Sequence, residues 1–135
     1  MLSSTLEIYT DGSLVKKDGN IYCGYGIYFP NHEYKSISRK FTHEPITNNR
    51  AELTSILETI NYLKPSDLIK ELIIITDSAY SMFIFDKTGE NYEKNNFMKD
   101  GQQVLNKDLI IKALKMKRKY NQLISSKMKL FLLAN

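Results

Sequence analysis

Residues 47–77 read TNNRAELTSILETINYLKPSDLIKELIIITD, and this stretch decides the architecture. Leu53, Ile56, Leu57, Ile60 and Leu63 recur at helical spacing. Thr47 or Asn48 can cap a helix that begins near Asn49, and Pro65 stops it. Leu72 to Thr76 is a near-continuous apolar run, the pattern of a strand buried on both faces of an α/β sheet. Leu6 to Thr10 supplies an earlier strand from which the helix can cross. A right-handed crossover lays the two strands parallel, so both finish at one sheet edge. Asp11 follows the first strand at once, and Asp77 follows the second. In open α/β sheets that edge is where ligands bind.

Working outward, Asp11-Gly12-Ser13 reads as a turn that ends the first strand. Leu14 to Asn20 is a hairpin-like loop around Asp18-Gly19-Asn20. Ile21 to Phe29 is a second strand, with Gly24 and Gly26 on one face leaving room for close backbone approach. Tyr34 to Phe41 alternates as a third. Beyond Asp77, a short helix runs from Ser78 to about Phe85. Residues 86–106 form a polar segment in which Tyr92 and Phe97 are interleaved with Lys94, Lys99 and several asparagines. A basic amphipathic helix over 107–123 places Leu109, Ile110, Ala113, Leu114 and Leu123 on its apolar side, and Lys127 to Leu133 is a last strand. The order β-β-β-α-β-α-α-β predicts one α/β domain over residues 1–135.

With 42% apolar and 25% charged residues in 135, the composition is that of a globular protein with an ordinary core. No apolar run approaches the roughly 20 residues of a bilayer span, and Met1 to Thr5 lacks signal-peptide character. A single cysteine, Cys23, excludes an internal disulfide and a thiolate zinc site, and an intracellular protein is expected. The net charge of +4 is unevenly spread. Residues 1–86 carry 8 Lys and Arg against 11 Asp and Glu, whereas residues 87–135 carry 11 against 4. An acidic first part and a basic last part suit an anionic polymer held by one and processed by the other.

Glu52 lies near the start of its helix and can lean toward Asp11 and Asp77. Each acid alone has a plainer reading: Asp11 as a turn residue, Glu52 as a first-turn acid favoured by the helix dipole, Asp77 as a helix cap. Those readings do not predict all three together. Two unit charges about 4 Å apart cost roughly 4 kcal/mol at an effective dielectric of 20, so such a cluster invites a cation. Oxygen ligands without Cys or nearby His favour Mg²⁺ or Mn²⁺. Two such ions can activate a water on one side of a phosphodiester and steady the leaving oxygen on the other, with Asp11 as bridging ligand.

YTDGS (9–13), TNNRAEL (47–53) and ITDSAY (75–80), in this order and spacing, resemble the type 1 ribonuclease H family. CGYGIYF (23–29) resembles its glycine-bearing strand, YEKNNF (92–97) its W-x-K-N-x-W segment and VLNKDL (104–109) its V-x-N-K-D-L segment. The resemblance covers residues 6 to about 133. It implies a five-stranded mixed sheet of order 3-2-1-4-5 with helices on both faces. The implied activity is metal-dependent endonucleolytic cleavage of the RNA strand of RNA/DNA hybrids. A monomer that needs no protein partner is expected. By position, Asp11, Glu52 and Asp77 match metal-binding and catalytic acids. Asn48 and Asn49 match readers of the hybrid minor groove, where the 2′-hydroxyl distinguishes RNA from DNA. Thr47 and Asn106 match phosphate contacts on the DNA strand, and Gly12, Ser13, Tyr92, Phe97, Lys94 and Lys99 complete the substrate-binding set. Lys112, Lys115, Lys117, Arg118 and Lys119 match a basic protrusion that gives salt-sensitive affinity.

The chain departs from the family pattern in places. Tyr92 and Phe97 stand for two tryptophans, Lys87 and Thr88 occupy the region of a further aromatic, and Pro45 replaces a phosphate-contacting arginine. No hybrid-binding module precedes the domain, so processivity is not expected. The sequence ends at Leu133-Ala134-Asn135, before the family's His loop, its fourth acid and its closing helix. The expectation is a domain incomplete at its C-terminus, with one ion bound more weakly. Two rivals are a hybrid- or duplex-binding domain without turnover, and an ATPase of the actin and sugar-kinase type, which needs far more chain.

Overall fold

The computed structural model describes residues 5–63, 69–122 and 127–133. Strand β1 (Thr5–Lys17) pairs antiparallel with β2 (Asn20–Tyr28), and β2 pairs antiparallel with β3 (Ile37–Lys40). Helix α1 (Asn48–Thr59) crosses to β4 (Glu71–Thr76), which lies parallel to β1. Helices α2 (Ala79–Phe83) and α3 (Gly89–Lys94) flank a wider π-type turn. A small hairpin, β5 (Met98–Lys99) and β6 (Gln102–Gln103), precedes α4 (Lys107–Gln122) and the last strand, β7 (Lys127–Leu132). The main sheet runs β3-β2-β1-β4-β7. Because the hairpin takes two labels, β7 is the sheet's fifth strand, and the expected order 3-2-1-4-5 is the one seen.

The first strand is longer than its sequence suggests. Asp11-Gly12-Ser13 does not turn. It continues the ladder opposite Gly26, Tyr25 and Gly24, and the strand ends only at Lys17 opposite Asn20. The true turn is Asp18-Gly19, with φ of 51° and 78°, the paired left-handed conformation that Asp-Gly favours in two-residue hairpin loops. The third strand is shorter than expected, Ile37–Lys40 rather than Tyr34 to Phe41.

Alternation sets the layers. Leu6, Ile8, Leu72 and Ile74 are at most 1% exposed and face the helices with Ile27, while Tyr9, Ile73 and Ile75 point to the other face and are half-buried. The apolar run of β4 is therefore fully buried on one face, not on both as expected. Burying each such Leu or Ile contributes about 1.5–3 kcal/mol. The described helices form a layer on this face, where Leu53 and Ile56 of α1 and Ile110 and Leu114 of α4 share one core with the strands; of the helices expected on both faces, these are the ones among the described residues. Helix α1 ends at Thr59 and tightens into a 3₁₀ turn over Ile60–Tyr62. Pro65, expected to stop it, and Leu123, expected on α4, lie outside the described residues. Among the described residues no helix is long and apolar enough to cross a membrane.

Candidate active site

The parallel register between β1 and β4 ends at Thr10 opposite Thr76. Asp11 and Asp77 are the next residues of each strand, so the sheet itself sets them side by side. Glu52 comes from α1, and Gly12 lets it come close. A Cβ on Gly12 would sit 2.6 Å from the Glu52 nitrogen and 2.8 Å from the Ala51 carbonyl carbon. Only a residue without a side chain permits that approach of helix to strand. One carboxylate oxygen from each of Asp11, Glu52 and Asp77 lies within 4.8 Å of the others.

Each plainer reading of these acids fails in the structure. Asp11 stands within a strand rather than a turn. Glu52 is beyond the first turn of α1 and 5% exposed, away from the water that a dipole-stabilising acid keeps. The cap of α2 is Ser78, whose hydroxyl accepts from the Ser81 N–H at 3.1 Å, which leaves Asp77 exposed and uncommitted to the helix. Burial pushes the Glu52 carboxyl up to about 8, and the charges of Asp77 and Asp11 add to it. Burial and then the Asp77 charge also raise Asp11, while the Gly12 N–H works in the opposite direction on both.

The site has the character of a cation site. Glu52 Oε2 is buried without a hydrogen-bond partner. An acceptor left bare beside two more carboxylates costs free energy unless a cation or a proton satisfies it. All the donors are hard oxygens, so the residues fit Mg²⁺ or Mn²⁺.

A model of the RNase H family matches residues 3–127. The chain belongs to the RNase H family. It is 36% identical over 107 residues to ribonuclease HI of Haemophilus influenzae, covering 78% of this chain and 66% of that protein. It is 39% identical over 90 residues to a protein of Acanthamoeba polyphaga mimivirus described as "Probable ribonuclease H", covering 64% of this chain and 39% of that one. The chain thus spans between two-fifths and two-thirds of these relatives' length. Among solved structures, a foamy viral protease-reverse transcriptase in complex with RNA/DNA hybrid superposes with a TM-score of 0.63 at 16% identity, over 99% of this chain and 18% of that one. At that identity the likeness speaks for the RNase H fold alone.

Within this RNase H domain the remaining expected site residues divide. Thr47, Asn48 and Asn49 are exposed at the start of α1, beside the acids, and Thr47 caps the helix by accepting from the Arg50 N–H at 3.2 Å. Ser13 is exposed on β1, while Gly12 is buried and serves the packing just described rather than an open surface. Lys94 and Lys99 are exposed, but Tyr92 and Phe97 are half-buried against the core, and Lys107 Nζ lies 5.5 Å from the Phe97 ring centroid. Of the expected basic cluster, Lys112, Lys115 and Lys119 are exposed. Lys117 is drawn to Glu90 at 3.0 Å, and Arg118 is paired with Glu93. Sequence reasoning missed Arg50 and Asp108, which are joined by a two-pronged ion pair. The spacing of 58 residues gave no local signal for it.

The close approach at Gly12 makes a direct prediction. Gly12→Ala must push α1 from β1, and overpacking of this kind costs about 1–3 kcal/mol. The expected result is a melting temperature lower by several degrees, with weaker Mn²⁺ binding in calorimetry because Glu52 moves from Asp11. Unchanged values for both would show that the helix has room to slide.

Proposed function

We propose that this chain is an endonuclease that hydrolyses the RNA strand of RNA/DNA hybrids with Mg²⁺ or Mn²⁺. The observation that carries the reading is the buried, unpartnered Glu52 Oε2 within a cluster of three carboxylates in an RNase H fold. Asp11, Glu52 and Asp77 would hold the ions. Two divalent cations bound there supply an activated water and a counter-charge for the leaving oxygen of the phosphodiester.

The chain's own residues do the rest. Asn48 and Asn49, on the exposed first turn of α1 beside the acids, offer amides suited to the wide minor groove of an A-like duplex and its 2′-hydroxyls. Thr47 and Asn106 face the other strand's phosphates. Lys112, Lys115 and Lys119 add sequence-independent attraction, and each lysine lost should lower the salt slope of binding by about one.

The test is cleavage of a hybrid labelled separately on its RNA and DNA strands, with duplex DNA and duplex RNA as controls. The RNA strand of the hybrid alone should be cut, and only with Mg²⁺ or Mn²⁺ present. Absence of RNA-strand cleavage at high Mn²⁺, with the protein shown to be folded, overturns the enzymatic reading. Salt-sensitive hybrid binding without turnover would then identify a binding domain.

A further inference from the structure

Arg50 is 2% exposed and stands on α1 two residues before Glu52, yet its side chain serves a different part of the molecule. Its guanidinium reaches the segment that opens α4. Nη1 and Nη2 donate to the two carboxylate oxygens of Asp108 at 2.9 Å each. Nη1 also donates to Asn106 Oδ1 at 3.3 Å. The other end of that amide donates from Nδ2 to the Tyr80 hydroxyl at 2.9 Å. Asn106 is therefore held at both ends, on a backbone whose φ of 66° lies in the left-handed region. The main chain of Arg50 is tied in turn to Thr47, the cap of α1. One residue thus links Thr47 to Asn106.

Stability alone does not explain a charge in this place. A buried guanidinium loses its hydration, and its Nε here has no hydrogen-bond partner. A well-packed apolar residue of similar volume often serves stability as well or better. What an apolar residue cannot supply is the planar fork that fixes a carboxylate and an amide at once. The network also borders solvent rather than closing on itself. Arg50, Asn106 and Asp108 line an open cleft of about 470 Å³ beside Leu105 and Lys107.

We propose that Arg50 is a positioning residue that locks Asn106 to the first turn of α1, so that the two segments act as one rigid clamp on the hybrid backbone. The inference rests on the hybrid-binding reading above. A clamp of this kind acts on hybrid affinity and leaves the carboxylate cluster alone.

The experiment measures binding of a fluorescein-labelled RNA/DNA hybrid by anisotropy in metal-free buffer, and Mn²⁺ binding by calorimetry in parallel. The chains compared are the unaltered one, Arg50→Lys, Asn106→Ala and the double variant. Arg50→Lys keeps the charge and loses the fork. Each single change should raise the hybrid Kd about tenfold, the scale of one lost charge-assisted hydrogen bond. The double variant should bind no more than about threefold worse than Asn106→Ala, because both changes remove the same restraint. Mn²⁺ affinity should stay within about twofold throughout. Losses that multiply, a Kd for Arg50→Lys within twofold of the unaltered chain, or Mn²⁺ affinity falling in step with hybrid affinity would each overturn the proposal. If Arg50→Lys does not fold, Asp108→Asn, altered at the half-exposed end of the pair, should show the same non-additive loss with Asn106→Ala. Failure of the unaltered chain to bind hybrid sinks the hybrid reading and this one together. Normal binding with an indifferent Arg50→Lys sinks this one alone.

Discussion

Asp11→Asn is expected to lower RNA-strand cleavage at least a thousandfold while leaving the metal-free protein more stable than the unaltered chain. The substitution keeps size and shape on a strand whose backbone is fixed by pairing with Gly26, so the fold has no reason to change. It removes the charge from one of three carboxyl groups whose oxygens lie within 4.8 Å. At that separation and an effective dielectric of 20, each pair of charges repels by roughly 3 kcal/mol, so the neutral amide relieves Glu52 and Asp77. The same loss of charge weakens the hold on divalent cations, whose charge stabilisation in the transition state is worth several kcal/mol. About 4 kcal/mol corresponds to a thousandfold in rate. The opposed signs make the prediction informative: a variant that is inactive because it is unfolded melts lower, and this one should melt higher at pH 8. Activity within tenfold of the unaltered chain, at matched Mn²⁺, would remove Asp11 from the catalytic role. Asp18→Asn, at the distant hairpin turn, is the matched control and should change neither quantity.

The fold was legible because the signals that carry it are local and periodic. The helical spacing of the apolar residues in α1 and the apolar runs of β1 and β4 are such signals, and with the crossover rule they place Asp11 beside Asp77. Two readings failed for a shared reason. Asp11-Gly12-Ser13 has turn composition, yet it pairs with Gly26, Tyr25 and Gly24 of β2, and Gly12 is small because α1 presses on it rather than because the chain bends there. Composition reports what a residue permits, and only the neighbour decides which permission is used. The burial of β4 was misjudged likewise: an apolar run does not say whether the second face is covered. At the site, the acids were legible from their segments, but the pairing of Lys117 and Arg118 with Glu90 and Glu93 was not. These pairs join α3 to α4 across 27 and 25 residues, and no periodicity spans that distance. They leave Lys112, Lys115 and Lys119 as the exposed lysines of that helix and narrow the basic surface that sequence reading had drawn more broadly.

Without divalent cations, the protein should lose stability as pH rises from about 5 to 8.5, against the usual behaviour of a carboxylate in an ion pair. The sign follows from Glu52. Its carboxyl is pushed up to about 8 in the folded chain against 4.5 as the reference, so folding favours the protonated form. The stability this group contributes is complete below the unfolded value and is lost as pH climbs through the folded one. At about 1.4 kcal/mol per unit, the gap between the two values sets an upper limit of roughly 5 kcal/mol. Asp11, also raised, acts in the same direction. Asp108 works the other way, held down at about 2 by the Arg50 guanidinium, but its effect falls below pH 4 and lies outside this window. A loss of about 3 kcal/mol would lower the melting temperature by about 10 °C in a domain of this size. Bound Mg²⁺ or Mn²⁺ should restore most of that at pH 8 and little at pH 5, because the cation takes the place of the proton. Glu52→Gln should flatten the pH dependence and remove the metal rescue together. A melting temperature in EDTA that is level or rising between pH 5 and 8.5 would contradict the raised Glu52 carboxyl on which this prediction rests.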